Sequence, residues 1–126
     1  MKILRCTPEH VEDILAAIKK EPDWEIFTSE ATIDRYRSRL NESLTYVCYD
    51  DKAFCGYMRA ILDNGFAVYI SELYVVPGWR NRGVGRSLTA QVKVDHGRLP
   101  VYVLSDEDVY YEKLGYRKVG SVFEVV

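Results

Sequence analysis

Apolar residues recur at helical spacing in the first third of the chain. Before them, Ile3 and Leu4 form a short apolar run that predicts a first strand. Thr7-Pro8-Glu9 then offers a capping hydroxyl, a proline for the first helical position and an acid for the first turn, so a helix is predicted to begin there. Its core-facing stripe consists of Val11, Ile14, Leu15 and Ile18.

A second helix is predicted to begin near Ser29, with Ile33, Tyr36 and Leu40 on one face. The segment between the two helices, residues 21–27, is predicted to be a loop. It contains two large aromatic residues and three acids: Trp24, Phe27, Glu21, Asp23 and Glu25.

The middle of the chain predicts three strands joined by tight turns: residues 44–49, 53–62 and 66–76. Asp50-Asp51-Lys52 favours the first turn, and Asn64-Gly65 is a strong two-residue hairpin signal for the second. The third strand is long and largely apolar, which predicts a central position with both faces buried. The three strands are expected to form an antiparallel meander.

The pattern changes after residue 76. A loop rich in Gly and Arg is followed by a helix, marked by the four-residue repeat of Val84, Leu88 and Val92, and then by a short buried strand at 101–104. Strand, loop, helix and strand in this order predict a right-handed parallel crossover. A short helix is predicted to end near Leu114, with Gly115 as its cap. Residues 116–119 and 122–126 are predicted as final strands that turn at Gly120-Ser121 and complete the sheet.

These elements predict one domain over residues 1–126, of the α/β class, with a mixed sheet and helices on both faces. The formal charge is −2, so no basic footprint supports nucleic-acid binding, and none is expected. No apolar run approaches the roughly 20 residues of a membrane helix, so no membrane association is expected. Because residues 1–5 lack the apolar region of a signal peptide, we expect a cytoplasmic protein whose three cysteines are reduced and structural: Cys6, Cys48 and Cys55.

The loop at residues 80–87 carries the strongest chemical signal. Its glycines, Gly83 and Gly85, permit positive φ and close approach of the backbone, and the loop opens a helix whose first amides have no intrahelical partner. Such amides, with the helix dipole, form an anion site, and three arginines add positive charge: Arg80, Arg82 and Arg86. A diphosphate is the expected ligand. The spacing does not fit a Walker A loop or a Rossmann fingerprint, and the alternative is a solvated surface turn.

At this point the sequence resembles a known family. Arg80-Asn81-Arg82-Gly83-Val84-Gly85, with the preceding Leu73-Tyr74-Val75-Val76-Pro77, is similar to the phosphate-binding loop of the GNAT N-acetyltransferase superfamily. Tyr110-Tyr111-Glu112-Lys113-Leu114-Gly115-Tyr116 resembles a second segment of that family, in the expected order and spacing. The resemblance implies a GNAT-like, mostly antiparallel mixed sheet whose parallel strands splay apart to admit acetyl-CoA, the acyl donor.

The resemblance also implies site residues. The backbone of Leu73, Tyr74 and Val75 should line the pantetheine arm. The pyrophosphate should lie on the segment formed by Arg80, Asn81, Arg82, Gly83, Val84, Gly85, Arg86 and Ser87. Glu72 is the candidate base, with an ordinary ion pair to an arginine across the sheet as the alternative. Tyr111 is the candidate acid, although the adjacent Tyr110 keeps that assignment open.

The expected reaction is direct attack by an amine in a ternary complex, without a metal and without an acetylated cysteine. Trp24 and Phe27 are candidate walls of the acceptor site, and the alternative is that they only cover the core. The acceptor class stays open between a small molecule and a protein amine. A non-catalytic acyl-CoA sensor and a generic nucleotide binder are the competing functions. A monomer and a homodimer also stay open, because the apolar segment 122–126 could present a sheet edge.

Overall fold

Five strands form one sheet in the order β1-β2-β3-β4-β5, in a computed structural model that describes residues 1–126. The strands are β1 (Lys2–Arg5), β2 (Leu44–Asp50), β3 (Ala53–Asp63), β4 (Ala67–Val75) and β5 (Val101–Val103). The first four pair antiparallel and β4 pairs parallel with β5, so the predicted meander and crossover are both confirmed. The middle strand is β3, however, and β4 lies between it and β5.

Helices cover both faces of this sheet, as predicted. They are α1 (Pro8–Ile18), the single turn α2 (Glu25–Thr28), α3 (Ile33–Glu42), α4 (Val84–Asp95) and α5 (Asp108–Lys113), with 3₁₀ turns at Pro22–Trp24 and Pro77–Trp79. The apolar stripe of α1 packs with α3 on one face, and the four-residue repeat of α4 packs on the other. The second long helix begins at Ile33, not near Ser29, because residues 25–28 form their own helical turn.

The antiparallel pairing of β3 with β4 contains one irregularity. Arg59 pairs with Glu72, and the next residue, Ala60, pairs with Ile70, which leaves Ser71 as an extra residue on β4. A bulge of this kind bends a strand and re-aims its side chains, and bulges are frequent beside active sites.

The last predicted strands, 116–119 and 122–126, are absent. Residues 116–126 run without a turn, bend or strand, so the predicted turn at Gly120-Ser121 is also wrong. The β-branched and aromatic residues of this segment favour a strand, but a strand also requires a partner, and this segment has none. No helix in the structure is long and apolar enough to span a membrane.

Candidate active site

The loop before α4 presents a run of unpaired backbone amides. Asn81 and Gly83 both have positive φ, at 63° and 83°, which turns consecutive N–H groups toward one side of the chain. The first backbone hydrogen bond of α4 is donated by Ser87 to the Gly83 carbonyl at 2.9 Å. None of the six amides from 81 to 86 donates a hydrogen bond within the chain. Free amides at the positive end of a helix dipole are suited to bind an anion.

The three arginines of the loop have different environments. The Arg80 side chain turns back, and its Nε donates to the Val75 carbonyl at 3.0 Å. The guanidinium of Arg82 stacks on the Trp79 ring, 4.1 Å from its centroid. Arg80 Nη2 also lies 3.9 Å from Glu21 Oε1, whereas no hydrogen bond or ion pair involves the Arg86 side chain. Of the three predicted phosphate ligands, Arg86 is therefore the one whose guanidinium has no partner within the chain.

Beside this loop, the parallel strands separate. β4 and β5 pair only from Val68 to Ile70, and β4 continues five residues further, to Val75. The Val76 amide donates to the Cys55 carbonyl of β3, so by the alternation of a strand the amides of Leu73 and Val75 face the open edge. Tyr74, by the same alternation, directs its backbone toward β3, away from the edge that it was expected to line.

Tyr110 lies where this open edge meets α4. A Cβ added at Gly85 would overlap the Tyr110 hydroxyl and would lie 3.5 Å from Leu73 Cδ2, so glycine is required for this contact. Tyr111, the predicted acid, packs edge-on against Tyr110 at 5.0 Å and stacks on Tyr116 at 6.5 Å. Burial raises the pKa of both Tyr110 and Tyr111, so both phenols are protonated at neutral pH. The sequence did not indicate which of the two tyrosines reaches the site. In the structure, the rotation of α5 places Tyr110 against Gly85, in the first turn of α4.

Glu72 is buried in a polar network on the opposite face of β4, at 7% exposure. Its Oε1 accepts from Arg59 Nε at 2.6 Å and from the Tyr36 hydroxyl at 2.5 Å, and its Oε2 accepts from Arg59 Nη2 at 2.9 Å. Since Tyr36 has one hydroxyl proton, Tyr57 must donate to the Tyr36 oxygen, at 2.7 Å. The arginine partner that sequence analysis offered as an alternative is thus present, across the bulge.

Aromatic side chains surround this network. Phe27 stacks on Tyr36 at 4.3 Å, and Trp24 meets Tyr74 edge-on at 5.3 Å, so both predicted acceptor-site residues pack against the α1–α3 face and remain partly exposed. The Tyr74 hydroxyl donates to Glu21 at 2.9 Å, in the segment that precedes Trp24. Burial, followed by this hydrogen bond, raises the pKa of Tyr74 to about 12.

Comparison with known proteins agrees with this geometry. The model of the acetyltransferase (GNAT) domain family matches residues 41–118, which include β3, β4, the amide run and α5. Among curated protein sequences, none is significantly similar to this chain.

Three solved structures illustrate the similarity of fold. A GNAT-family acetyltransferase from Streptococcus pneumoniae superposes with a TM-score of 0.73 at 20% identity, covering 98% of this chain and 96% of that one. The aminoglycoside N-acetyltransferase AAC(6')-Iy in complex with CoA gives 0.74 at 19% identity, covering 99% and 93%. An aminoglycoside acetyltransferase from an uncultured soil sample gives 0.73 at 20% identity, covering 99% and 97%. At these identities the likeness establishes the fold.

Proposed function

The chain belongs to the GNAT acetyltransferase family, and from that premise we propose that it moves an acetyl group from acetyl-CoA to a primary amine of a small molecule, by direct attack in a ternary complex. The observation that carries the proposal is the run of six unpaired amides, 81–86, beside the open edge of β4. A donor with a pyrophosphate and an amide-bearing arm supplies hydrogen-bonding partners for both features.

The proposed donor contacts follow from the groups that lack partners. The amides of residues 81–86 would hold the pyrophosphate, and Arg86 would add charge to them. The amides of Leu73 and Val75 would pair with the pantetheine arm as an added strand. Ser87 would contribute through its hydroxyl, because its own amide is committed to the helix. Arg80 and Arg82 would hold the shape of the loop by their contacts with Val75 and Trp79.

Proton transfer needs two further groups, because an amine must lose a proton before attack and the leaving thiolate is stabilised by a donated one. Tyr110 and Tyr111, both protonated, are the candidate donors, and the position of Tyr110 beside Gly85 and Leu73 favours it. Glu72 remains the proposed base. Three of the roughly four lone-pair sites of its carboxylate are occupied, so the unoccupied position on Oε2 would receive the proton, directly or through water.

A cationic acceptor fits the surface next to Trp24 and Phe27. Segment 21–30 carries four acids and no lysine or arginine, and aromatic faces beside carboxylates attract ammonium groups. Two of the structural neighbours are aminoglycoside acetyltransferases, and aminoglycosides are polyamines. We therefore propose small polyamines as the first acceptors to test.

An acyl-CoA sensor without catalytic activity is the second candidate. The observation in its favour is the pairing of Glu72 with Arg59 and Tyr36, because a carboxylate committed to a buried network is poorly available to an amine. Both candidates require binding of acetyl-CoA, and only the enzyme requires turnover.

The deciding experiment has two stages. Calorimetric titration with acetyl-CoA should give binding that weakens in Arg86→Ala and is unchanged in Arg98→Ala, an exposed arginine beyond the other end of α4. An absence of binding by the wild-type chain contradicts both candidates. Thiol release is then followed with a panel of amines. Release that depends on the amine and falls in Tyr110→Phe supports the enzyme, whereas binding without release across the panel supports the sensor.

A further inference from the structure

The helix α5 and the residues after it are attached to the rest of the protein by few interactions. None of residues 105–126 is fully buried. Their side-chain hydrogen bonds and their ion pair are internal, such as those of Asp108 with Ser105 and Lys118, with one exception. The exception joins the Tyr116 hydroxyl to Thr89 Oγ1 of α4, at 2.6 Å. This is therefore the only hydrogen bond that fixes how α5 lies on α4.

The direction of this hydrogen bond follows from the surroundings of Thr89. Its hydroxyl lies 3.1 Å from the carbonyls of Gly85 and Arg86, about one turn earlier in the same helix. A threonine hydroxyl has one proton, and within a helix that proton is donated to such carbonyls. Tyr116 is then the donor to Thr89, which is 5% exposed. The Tyr116 hydroxyl thus reaches a buried acceptor whose own proton is bound to the helix backbone.

Tyr110, in contrast, has no hydrogen-bonding partner for its hydroxyl. That hydroxyl lies against Gly85, where an added Cβ would overlap it. A contact of this kind prevents closer approach but does little to hold the phenol in place, because the dispersion attraction between a few atoms is weak. Another interaction must therefore set the position of Tyr110.

The C-terminal cap of α5 connects Tyr116 to the turn that carries Tyr110. The Leu114 amide donates to the Tyr110 carbonyl at 3.3 Å, and the Tyr116 amide donates to the Tyr111 carbonyl at 3.1 Å. Gly115, between them, has a φ of 85°, the left-handed conformation that this cap requires. Tyr110 and Tyr116 are therefore held in a fixed relation to each other by the backbone of α5.

We propose that Tyr116 is a positioning residue for acetyl transfer, acting through Tyr110. Its hydrogen bond to Thr89 fixes the rotation of α5 that places the Tyr110 hydroxyl at Gly85. Thr89 and Gly85 lie one turn apart on the same face of α4, so α5 is attached at two neighbouring points. Without the bond to Thr89, one contact remains, and α5 is free to turn about it. The inference rests on the proposed function, in which Tyr110 is the favoured proton donor.

Steady-state kinetics of the full chain test this role. Tyr116→Phe removes only the hydroxyl, and kcat should fall at least roughly 10-fold, because a misplacement of about 1 Å can cost about 100-fold. The KM for acetyl-CoA should change less than about 2-fold, because the amides 81–86 and Arg86 are unaltered. Thr89→Val should lower kcat to a similar extent, whereas Thr89→Ser, which keeps the hydroxyl, should retain it. The matched control is Tyr49→Phe, which loses a hydrogen bond of the same length, 2.6 Å to Asp13 of α1, and should keep the wild-type kcat.

A second background shows whether Tyr116 acts through Tyr110. In Tyr110→Phe, which lacks the proposed proton donor, adding Tyr116→Phe should lower kcat by less than about 2-fold. A general loss of stability would instead lower kcat equally in both backgrounds. An equal fall in both, or a wild-type kcat in Tyr116→Phe, overturns the proposal.

A measurement without turnover separates this inference from the proposed function. In the nuclear Overhauser spectrum of the wild-type chain, the Tyr110 ring protons should show a cross-peak to the Gly85 α-protons. The cross-peak should be lost in Tyr116→Phe and kept in Tyr49→Phe. Its retention in Tyr116→Phe overturns the positioning role. Its loss there, in a protein that shows no turnover with any amine, supports the role of Tyr116 in placing Tyr110 and contradicts only the proposed function.

Discussion

The pair formed by Arg59 and Glu72 gives the sharpest prediction of stability. Both side chains are nearly enclosed, with 12% and 6% of their areas exposed. Glu72→Gln would remove the negative charge and leave the guanidinium of Arg59 inside the protein. Breaking a buried pair in this way costs about 3–5 kcal/mol of folding free energy. The lower end applies here, because Arg59 would retain hydrogen bonds to Ser43 and Ser71, at 3.1 and 3.4 Å.

A second substitution distinguishes the charge from the shape of the site. Arg59→Met combined with Glu72→Gln leaves no unpaired charge in the protein interior. The side-chain amide oxygen at position 72 still accepts from the Tyr36 hydroxyl. We expect this double variant to recover about 2 kcal/mol of the loss in Glu72→Gln, a coupling that only interacting residues show. Glu42→Gln is the matched control, since Glu42 pairs with Arg39 at 2.7 Å on the surface, where such pairs contribute about 0–1 kcal/mol.

Urea denaturation at pH 7 measures these differences, and thermal melting provides a check. A loss of about 3 kcal/mol corresponds to roughly 10–15 °C in Tm for a chain of this length. The reasoning is refuted if Glu72→Gln loses less than ~1 kcal/mol of folding free energy, or if the double variant loses as much as Glu72→Gln and Arg59→Met measured singly and added together.

The same series also addresses catalysis. A double variant that regains stability and still lacks turnover supports Glu72 as the base, whereas regained turnover excludes that role.

Three further outcomes are expected. Arg86→Ala should weaken acetyl-CoA binding several-fold, by loss of a charged hydrogen bond, and should flatten its salt dependence, while Arg82→Ala should change the salt dependence less. Gly85→Ala should reduce donor affinity because the new methyl group displaces the Tyr110 hydroxyl, and Tyr110→Phe in the same chain should restore it in part, since a 3.1 Å contact with Tyr110 Cζ then remains. The Tyr46 hydroxyl of β2 donates to Asp95 at the end of α4, at 2.6 Å, and burial, followed by this hydrogen bond, raises the pKa of Tyr46 to about 12. The stabilising contribution of the protonated phenol is therefore complete below pH 10 and lost as the pH rises through 12. Urea midpoints at pH 7, 10 and 11.5 should therefore converge for the wild type and Tyr46→Phe.

Features whose cause is local in the chain could be predicted from the sequence. Asn64-Gly65 and the apolar runs beside it specify a hairpin by themselves. The amide run at 81–86 depends on the positive φ of two nearby residues, Asn81 and Gly83, and on a helix that starts at Val84. Segment 117–126 shows the limit of this reasoning. Its composition predicts strands at 116–119 and 122–126, but a strand also requires a partner, and composition does not supply one.

The pairing of Glu72 depends on longer-range features. Arg59 reaches it only because the bulge at Ser71 sets the register between β3 and β4, and Tyr36 arrives from a helix 36 residues earlier. The choice between Tyr110 and Tyr111 likewise depends on the rotation of α5 against α4. Neither the register between β3 and β4 nor the rotation of α5 can be predicted from the local pattern of residues.

The unpaired amides of 81–86 also affect how this protein should be assayed. Backbone N–H groups bind any small oxyanion of suitable size. Phosphate or sulfate in a buffer therefore competes with acetyl-CoA, the proposed acyl donor, for the same loop. Such competition raises the apparent KM for the donor, leaves kcat unchanged and does not depend on the amine. An acceptor screen carried out in phosphate buffer would therefore underestimate the rate with every amine by the same factor and could miss weak acceptors, whereas zwitterionic buffers of low ionic strength would avoid that loss.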